Sequence, residues 1–490
     1  MRSLLGWVII LLISVGCAHQ TDKEVVPKTP FLAPAEKIPA FESPSPDFAS
    51  GDLLLWNAKV LTAAGQTYDP GYVWVSQGRI KEVGPNRPPK LPKRIKEISL
   101  AGKVITPGLI DTHSHLGVYA SPGARAHSDG NEATGPTTGQ VWAEHSFWPQ
   151  DPGLWRAVSG GVTTIQVLPG SANLLGGRSF VAHLRPRVSA RDMRFPGAKQ
   201  GVKMACGENP KRVYGDKGRF PSTRMGNIAK MRETLIKAQS YQRQWKSYER
   251  QLKIWKEEQG IKTEKDYAKA TKEAPKAPAT DLEMETLKGV LDGQILVHTH
   301  CYRADDLSAF MDMASDFNFK VKSFHHGLEA YKIKERLAKE DVSVSTWADW
   351  WGFKMEAYDG IPQNIALLDK AGVKAIIHSD SADDIRRLNQ EAQKAATAGV
   401  KKGLSFSENE ILRWITYNPA WALGIENLTG TLESGKYADV TIWGGDPFSV
   451  YTKVEHVFIL GHHVFDHEKP QRLSDFELGN SPYEEKKARP

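Results

Sequence analysis

The middle of the chain alternates short apolar runs with segments of helical period, and this alternation restricts the fold more than any other feature. Eight runs have the length and composition of buried strands: 109–113, 162–167, 179–184, 201–205, 295–298, 320–324, 342–346 and 374–378. Helix-like segments such as 305–316 and 361–371 lie between many of them. Alternating strands and helices build parallel sheets, and about eight such units close into a (β/α)8 barrel. We therefore predict an α/β fold with a TIM barrel at residues 106–425.

Both ends of the chain are rich in short strand-like runs. These runs lie at 52–59 and 72–75 on the N-terminal side, and at 438–443 and 454–460 on the C-terminal side. Short runs with glycine turns between them are typical of antiparallel sheets, and the two ends of a chain often lie close together. We predict a small β-sandwich built jointly from residues 51–105 and 426–468.

One segment departs from the alternating pattern. Residues 230–285 are dense in Lys, Glu, Gln and aromatic residues, with a Pro/Ala-rich break at 272–280. Such a charge density indicates helices with a solvated face. We predict a charged helical insertion, and a lid over the barrel pocket is the alternative role.

The N-terminus has the features of an export signal. Arg2 precedes an apolar run at 4–13 that is too short for a stable membrane span. Cys17 follows small residues and resembles the lipidated cysteine of a bacterial lipobox. We therefore expect residues 1–17 to be a signal, 18–50 a flexible tether and 469–490 a polar tail. The expected product is an exported lipoprotein, anchored through Cys17 at the periplasmic face of a membrane, the outer membrane being favoured. An ordinary cleaved signal and an uncleaved anchor are the alternatives.

Composition excludes two classes of protein. The net charge of +7 comes from 64 basic and 57 acidic residues, and no basic stripe is interleaved with aromatic residues. Nucleic acid is therefore not an expected partner. Three cysteines are too few for a disulfide scaffold. Cys206 and Cys301 are left as either one disulfide or two free thiols.

Histidines cluster where the predicted barrel strands end. The ends carry His113 and His115 on the first run, His298 and His300 on the fifth, His325 and His326 on the sixth, and Asp380 after the eighth. The carboxyl ends of barrel strands meet at one mouth, and converging imidazoles and carboxylates are ligands for zinc-class ions. Lys203 interrupts the apolar fourth run, where a lysine is costly unless it is neutral, paired or modified. The sequence therefore predicts a metal centre at the mouth.

Two longer motifs support this prediction through a resemblance. The stretch Pro107-Gly-Leu-Ile-Asp-Thr-His-Ser-His115 is similar to the first-strand signature of the amidohydrolase superfamily. The closing stretches Ile415-Thr-Tyr-Asn-Pro-Ala-Trp-Ala-Leu-Gly-Ile425 and Gly430-Thr-Leu-Glu-Ser-Gly-Lys-Tyr-Ala-Asp-Val-Thr-Ile442 are similar to its C-terminal motifs. The nearest branch is the imidazolonepropionase-like and metal-dependent dipeptidase group. The resemblance implies a barrel with one or two divalent metal ions, Zn²⁺ being expected and Mn²⁺ or Fe²⁺ the alternatives.

The resemblance also implies roles for individual residues. The matched metal ligands are His113, His115, His298, His326 and Asp380. Lys203 matches a lysine that bridges two metals when carbamylated, and Glu208 is the alternative bridge. His300 and His325 lie beside matched positions, as substrate contacts, supporting groups or structural residues.

The expected activity is hydrolysis of an amide, peptide or cyclic-amide bond by a metal-activated hydroxide, for example in a dipeptide or N-acyl amino acid. Asp380 would act as general base and then as general acid. Arg224, Arg303 and His300 are the expected contacts to a small-molecule substrate, and Asp349-Trp-Trp351 is either an aromatic wall or ordinary packing. A deaminase, a lactonase and a metal-free scaffold remain as alternatives. A homo-oligomer is also left open.

Overall fold

The computed structural model describes residues 41 and 43–469. The predicted signal, the lipobox and most of the tether and tail lie outside the described residues. The chain divides into two compact units. The larger consists of residues 39–246 and 278–490, and 247–277 is the described part of the smaller. Within the described part of the chain, no helix combines the length and the apolar character that a membrane span requires.

The described residues form sixteen strands that belong to two sheets. In chain order they are β1 (Asp52–Leu61), β2 (Thr67–Ser76), β3 (Arg79–Pro85), β4 (Ile95–Ser99), β5 (Val104–Pro107), β6 (Leu109–Ser114), β7 (Val162–Val167), β8 (Leu175–His183), β9 (Gly201–Ala205), β10 (Leu296–Cys301), β11 (Val321–His326), β12 (Ser343–Thr346), β13 (Ala375–Ile377), β14 (Val440–Trp443), β15 (Val454–Ile459) and β16 (His462–Asp466). Strands β6 to β13 form one sheet in sequence order, and the other eight strands form the second sheet. The predicted barrel and the β-domain from both termini are confirmed.

Helices fill most of the connections between the barrel strands. The α-helices are α1 (Pro152–Ser159), α2 (Ala190–Met193), α3 (Glu208–Gly215), α4 (Arg224–Glu258), α5 (Leu282–Leu291), α6 (Ala304–Asp316), α7 (Lys334–Lys339), α8 (Asn364–Lys370), α9 (Leu388–Val400), α10 (Glu408–Arg413) and α11 (Tyr417–Ala422). Short 3-10 helices lie at Arg125–His127, Ala143–Ser146, Glu264–Lys269, Ala330–Ile333, Met355–Ala357 and Asp384–Arg387. The predicted charged insertion therefore does contain a long helix, α4. Its role as a lid stays a prediction.

The third barrel strand corrects the expectation of an all-parallel sheet. β8 pairs antiparallel with both β7 and β9, whereas the other neighbouring pairs are parallel. The physical reason is the connection before it, because only residues 168–174 separate β7 from β8. A parallel return needs a crossover of about a dozen residues or more. His183, at the carboxyl end of β8, consequently lies at the face opposite the mouth and contacts Asp439 at 3.1 Å.

The seam between the first and last barrel strands lacks a regular ladder. At the lower end, the Ile110 N–H donates to the Ile415 carbonyl and the Ile377 N–H donates to Trp414, so the segment after α10 fills the gap. At the mouth, the Asp380 N–H donates directly to the His113 carbonyl at 3.0 Å. The barrel therefore closes through a polypeptide insert at the lower end and, at the mouth, a backbone bond between two predicted site residues.

The β-domain buries one shared apolar core. Its buried members come from both ends of the chain, for example Leu55 and Val73 from the first part and Val440 and Phe458 from the last. β5 joins the two parts, because it pairs with β1 on one side and with β14 on the other. The domain therefore needs both termini to form.

A disulfide joins two neighbouring barrel strands next to the mouth. Cys206 follows β9 and Cys301 ends β10, with Cα atoms 5.3 Å apart and a sequence separation of 95. Both cysteines are buried. This resolves the choice between a disulfide and free thiols.

Replacing both cysteines by serine should lower the free energy of unfolding by about 2–5 kcal/mol, because the disulfide closes a long loop in the unfolded chain. Urea unfolding of the C206S/C301S variant measures the loss. Wild-type protein under reducing conditions should have the same unfolding midpoint as this variant, below that of oxidised wild type. An unchanged midpoint in both samples would contradict a stabilising disulfide.

Candidate metal centre

Two overlapping groups of three donor residues converge at the mouth. The first is His113, His115 and Asp380, and the second is His113, His326 and His378. Within each group the donor atoms lie within 4.8 Å of one another. His113 belongs to both groups and is the centre of the cluster.

Asp380 faces three of the converging imidazoles. Its Oδ1 lies 3.3 Å from His115 Nε2 and 3.6 Å from His113 Nε2, and its Oδ2 lies 3.9 Å from His326 Nε2. Two ligands bonded to one tetrahedral zinc ion at its usual bond lengths are separated by about 3.3–3.5 Å. The first two distances match this separation, so the arrangement suits a divalent ion.

The His115 ring is oriented by the backbone. Its Nδ1 lies 2.8 Å from the Leu168 carbonyl, which can only accept a hydrogen bond. The proton of the neutral ring is therefore on Nδ1, and Nε2 keeps its lone pair toward Asp380. This is the usual arrangement by which a second contact fixes the tautomer of a metal-binding histidine.

Lys203 reaches the same point from β9. Its side chain is fully buried, and its Nζ lies 3.4 Å from His113 Nε2. Within residues 41 and 43–469, no carboxylate forms an ion pair with this ammonium group at 4.0 Å or less. Burial lowers the pKa of Lys203 to about 8. The group is therefore much closer to its neutral amine form at neutral pH than an exposed lysine is.

Three buried imidazoles at the mouth are held in their neutral form. Burial, together with positive charge from Lys203, keeps the pKa of His113, His300 and His326 well below the usual value. Burial raises the pKa of Asp380, but the hydrogen bond and charge of His115 outweigh it and the pKa is lowered. Neutral imidazole and ionised carboxylate are the forms that bind metals.

Several buried ring nitrogens of the cluster have no hydrogen-bond partner among the described residues. They are Nδ1 and Nε2 of both His300 and His378, Nδ1 of His326 and Nε2 of His298. An unpaired buried polar atom costs about 1–3 kcal/mol. Such a concentration of unpaired donors and acceptors is explained by a bound group, and nitrogen lone pairs fit a zinc-class cation.

Two residues of the cluster adopt a left-handed backbone conformation. His326 has φ of 74° and Asp380 has φ of 47°. Non-glycine residues adopt this region at a cost, and such residues concentrate at functional sites. The unusual backbone aims both side chains at His113.

The two histidines of β10 lie at different depths. The His300 ring packs against His326 with centroids 4.5 Å apart, at the level of the cluster. His298 lies one layer lower, beside Lys203 in the strand register, with its Nδ1 3.0 Å from His325 Nε2. Neither histidine of β10 belongs to the two converging groups, and the ligand position to which the resemblance matched His298 stays a prediction.

A chain of buried histidines runs beneath the cluster. His298 contacts His325, and His325 Nδ1 lies 2.9 Å from His113 Nδ1. Each contact needs one nitrogen to donate and the other to accept. His325 therefore orients the central residue of the cluster from below.

Four aromatic rings stack from the cluster toward the surface. Tyr302 and Trp347 both lie nearly parallel to His326, with interplanar angles of 16° and 20°, and Trp350 stacks on Trp347 at 16°. Trp350 is 39% exposed. Trp350 of the segment Asp349-Trp-Trp351 is therefore part of this stack, and the role of the segment as a wall toward a substrate stays a prediction.

The charged residues predicted to hold a substrate are already paired. Arg224 pairs with Asp306 at 3.0 Å and also with Glu356, and Arg303 pairs with Asp305 through two bonds. These arginines and Glu208 line a cavity of about 640 Å³. Glu208 lies 4.0 Å from Arg212 at the start of α3, outside the two converging groups. A substrate carboxylate would have to compete with these partners, so the substrate roles of Arg224 and Arg303 stay predictions.

Sequence reasoning missed three residues of the site. His378 stands two positions before Asp380, and its spacing could have identified it. Tyr302 and Trp347 follow the ends of β10 and β12, where any aromatic residue of a barrel faces the mouth. Their stacking on His326 depends on side-chain orientation that the sequence does not indicate.

Comparison with known proteins gives one consistent family. A family model described as "Amidohydrolase family" matches residues 354–470. The crystal structure of an amidohydrolase from Thermotoga maritima MSB8 is 34% identical, with a TM-score of 0.73 over 85% of this chain and 100% of that chain. Amidohydrolase tasK of Hapsidospora irregularis is 32% identical over 411 residues, which are 81% of this chain. This chain spans 40% of the length of tasK. Imidazolonepropionase of Vibrio cholerae is 47% identical over 62 residues, or 13% of this chain.

Adding Zn²⁺ to metal-free protein should raise its thermal unfolding temperature. Free Zn²⁺ at 100 times its dissociation constant adds about 2.7 kcal/mol to the free energy of unfolding. The His115→Ala variant should lose most of this stabilisation, whereas His145→Ala, which removes an exposed imidazole, should keep it. Equal stabilisation of the two variants would show that the ion does not bind at the cluster.

Proposed function

Because this chain belongs to the amidohydrolase family, we propose that it is a metal-dependent hydrolase that cleaves a C–N bond in a small-molecule substrate. The observation that carries the proposal is the convergence of Asp380 with His113, His115 and His326 at the mouth of the barrel. A metal-free scaffold has no need for buried imidazoles that are neutral and unpaired. The branch with imidazolonepropionases and dipeptidases is part of the same proposal.

The proposed ligands are His113, His115, Lys203, His300, His326 and Asp380. His300 replaces His298 at the fifth-strand position, because its ring lies at the level of the cluster and both of its nitrogens are unpaired. A bound divalent ion would acidify water and polarise a carbonyl group. Zn²⁺ suits a set dominated by imidazole, and Mn²⁺ and Fe²⁺ are the alternatives.

Lys203 is the proposed bridging residue in preference to Glu208. The ammonium group would lose one proton to become an amine, and the amine would add to CO2 and lose a second proton, which gives a carbamate anion with two oxygen donors. The change would remove a buried positive charge that has no carboxylate of the described part of the chain within 4.0 Å and supply a negative one among the ligands. Glu208 is less suited, because it lies on the rim beside Arg212.

His325 is proposed to position His113. If His113 presents Nε2 to the cluster, its Nδ1 carries the proton and donates to His325 Nδ1. His325 then donates from Nε2 to His298 Nδ1. In this arrangement every contact of the chain has one donor and one acceptor, and the lone pair of His113 Nε2 faces Asp380.

Asp380 is the proposed general base and acid. As an ionised carboxylate beside His115 it can accept a proton from the attacking water and then donate it to the leaving nitrogen. Its backbone N–H donates to the His113 carbonyl, and this bond fixes the position of the backbone from which the carboxylate extends.

The wall of stacked rings supports a preference for substrates with an apolar or aromatic group beside the scissile bond. Trp350, Trp351 and Phe353 are exposed at its outer end. Flat aromatic surfaces bind rings and apolar groups. The arginines of the rim favour a substrate carboxylate less, because each is already neutralised by an acidic partner. Deamination and lactone hydrolysis would use the same residues, and the substrate panel described below separates them.

Export as a lipoprotein anchored on Cys17 at the periplasmic face is also part of the proposal. The disulfide between Cys206 and Cys301 supports it, because such bonds persist in oxidising compartments.

Replacing Asp380 by Asn should lower kcat/KM by about 10²–10⁴-fold through the loss of proton transfer. The wild-type protein loaded with Zn²⁺ or Mn²⁺ is first screened on dipeptides, N-acyl amino acids, cyclic amides, aminopurines and lactones, with apolar and acidic members of each class. The matched control is Asp383→Asn, an exposed carboxylate in the same loop. Full turnover by Asp380→Asn with metal bound would contradict the role.

Variants of the two β10 histidines separate the ligand from the supporting residue. His300→Ala should lose bound Zn²⁺ under a competing chelator, whereas His298→Ala should weaken binding by about 10–100-fold, as supporting contacts of a ligand usually do. Metal content after equilibrium dialysis is the readout. Loss of metal from His298→Ala with retention by His300→Ala would reverse the assignment.

A further inference from the structure

The hairpin of β15 and β16 carries two histidines and an aspartate on one face, far along the chain from the barrel strands. His456 on β15 is directly opposite Asp466 on β16, and His463 is opposite Phe458. His456 and Phe458 are two residues apart and share a face of the strand. The cross-strand register therefore brings His456, His463 and Asp466 together.

The donor atoms of these three residues have the spacing of metal ligands. All three lie within 4.8 Å of one another. His456 Nδ1 lies 3.1 Å from His463 Nε2 and 3.7 Å from Asp466 Oδ1. Ligands of one tetrahedral zinc ion are separated by about 3.3–3.5 Å, and the two measured distances lie on either side of this value.

Neighbouring contacts hold the three side chains in place. The His463 ring stacks on Phe458 with an interplanar angle of 17° and a centroid distance of 4.7 Å. Asp466 accepts a hydrogen bond from the Glu468 N–H. His456 and Asp466 are 24% and 18% exposed, and His463 is exposed. An ion could therefore enter from solvent and complete its coordination with water.

A hydrogen bond between the two imidazoles accounts for only part of this arrangement. Such a bond uses His456 Nδ1 and His463 Nε2, and it leaves Asp466 Oδ1 facing the same nitrogen, while Oδ2 lies 3.6 Å from Lys469 Nζ. A cation at the centre satisfies all three groups at once. Two imidazoles and one carboxylate are a common ligand set for Zn²⁺.

We propose that His456, His463 and Asp466 bind one divalent transition-metal ion of the zinc class on the surface of the β-domain, separately from the barrel centre. The ion would link β15 to β16. Phe465 on β16 packs against Trp155 of α1 with ring centroids 5.1 Å apart. The linked hairpin would therefore stabilise the contact between the β-domain and the barrel.

Zinc stoichiometry of the full chain tests the proposal. Metal-free protein is titrated with Zn²⁺ by isothermal calorimetry and by equilibrium dialysis. Wild type should bind one more zinc per chain than His463→Ala, whereas His467→Ala, which removes an exposed imidazole next to the site, should match wild type. The same difference of one zinc should remain when both proteins carry His115→Ala.

Cobalt(II) titration gives a second readout. Wild type and His467→Ala should show the visible absorption of a nitrogen- and oxygen-coordinated ion that is missing in His463→Ala, and hydrolytic activity should be equal in all three. Equal unfolding temperatures without metal would show that the hairpin remains folded. Equal zinc stoichiometry in wild type and His463→Ala, or an equal loss in His467→Ala, would overturn the proposal.

Discussion

The buried carboxylate of Asp111 joins the first and last strands of the barrel, and the geometry of the candidate site depends on this joint. Asp111 is fully buried, and it accepts hydrogen bonds from the His113 N–H, the Ser379 N–H and the Ser379 hydroxyl. Burial raises its pKa to about 6 despite these bonds. The three donors fix the backbone on both sides of the seam, one residue before Asp380 and two residues before His115. The ligands from opposite ends of the barrel are therefore held by a common anchor.

A seam of this kind gives the site freedom that a regular ladder would not allow. Where β6 and β13 would pair, the chain instead uses Trp414, Ile415, the bonds from Ser379 to Asp111 and the bond from Asp380 to His113. A continuous ladder would keep both strands in extended conformation. The interrupted edge allows Asp380 to adopt its left-handed backbone and to turn its carboxylate toward three imidazoles.

The sequence predicted the layers of this fold well, because buried strands and amphipathic helices differ in period and composition. It predicted β7 and β9 to the residue. It failed on the direction of β8, because the predicted third strand began at residue 179 and left a longer connection than the observed 168–174. The sequence predicted the residue types of the site, but not how deep each side chain lies in the barrel. His298 and His300 share a face of one strand, and the sequence does not indicate how deep each ring lies; the strand register places His298 beside Lys203 and His300 beside Ala205. The ion pairs of Arg224 with Asp306 and Glu356 could not be predicted either, because these partners are distant in sequence.

The unpaired buried groups of the site lower the stability of the metal-free protein, and this helps to explain the disulfide beside it. Buried ring nitrogens without partners destabilise the metal-free protein by about 1–3 kcal/mol each, and Lys203 adds a buried amine with no carboxylate of the described residues within 4.0 Å. The disulfide at Cys206 and Cys301 joins β9 to β10 directly beside Lys203 and His300. It restrains the two strands that carry the least favourable buried groups. Because the restraint is covalent, these strands can stay in register before any ion is bound, and the ligands can be arranged in advance of the metal.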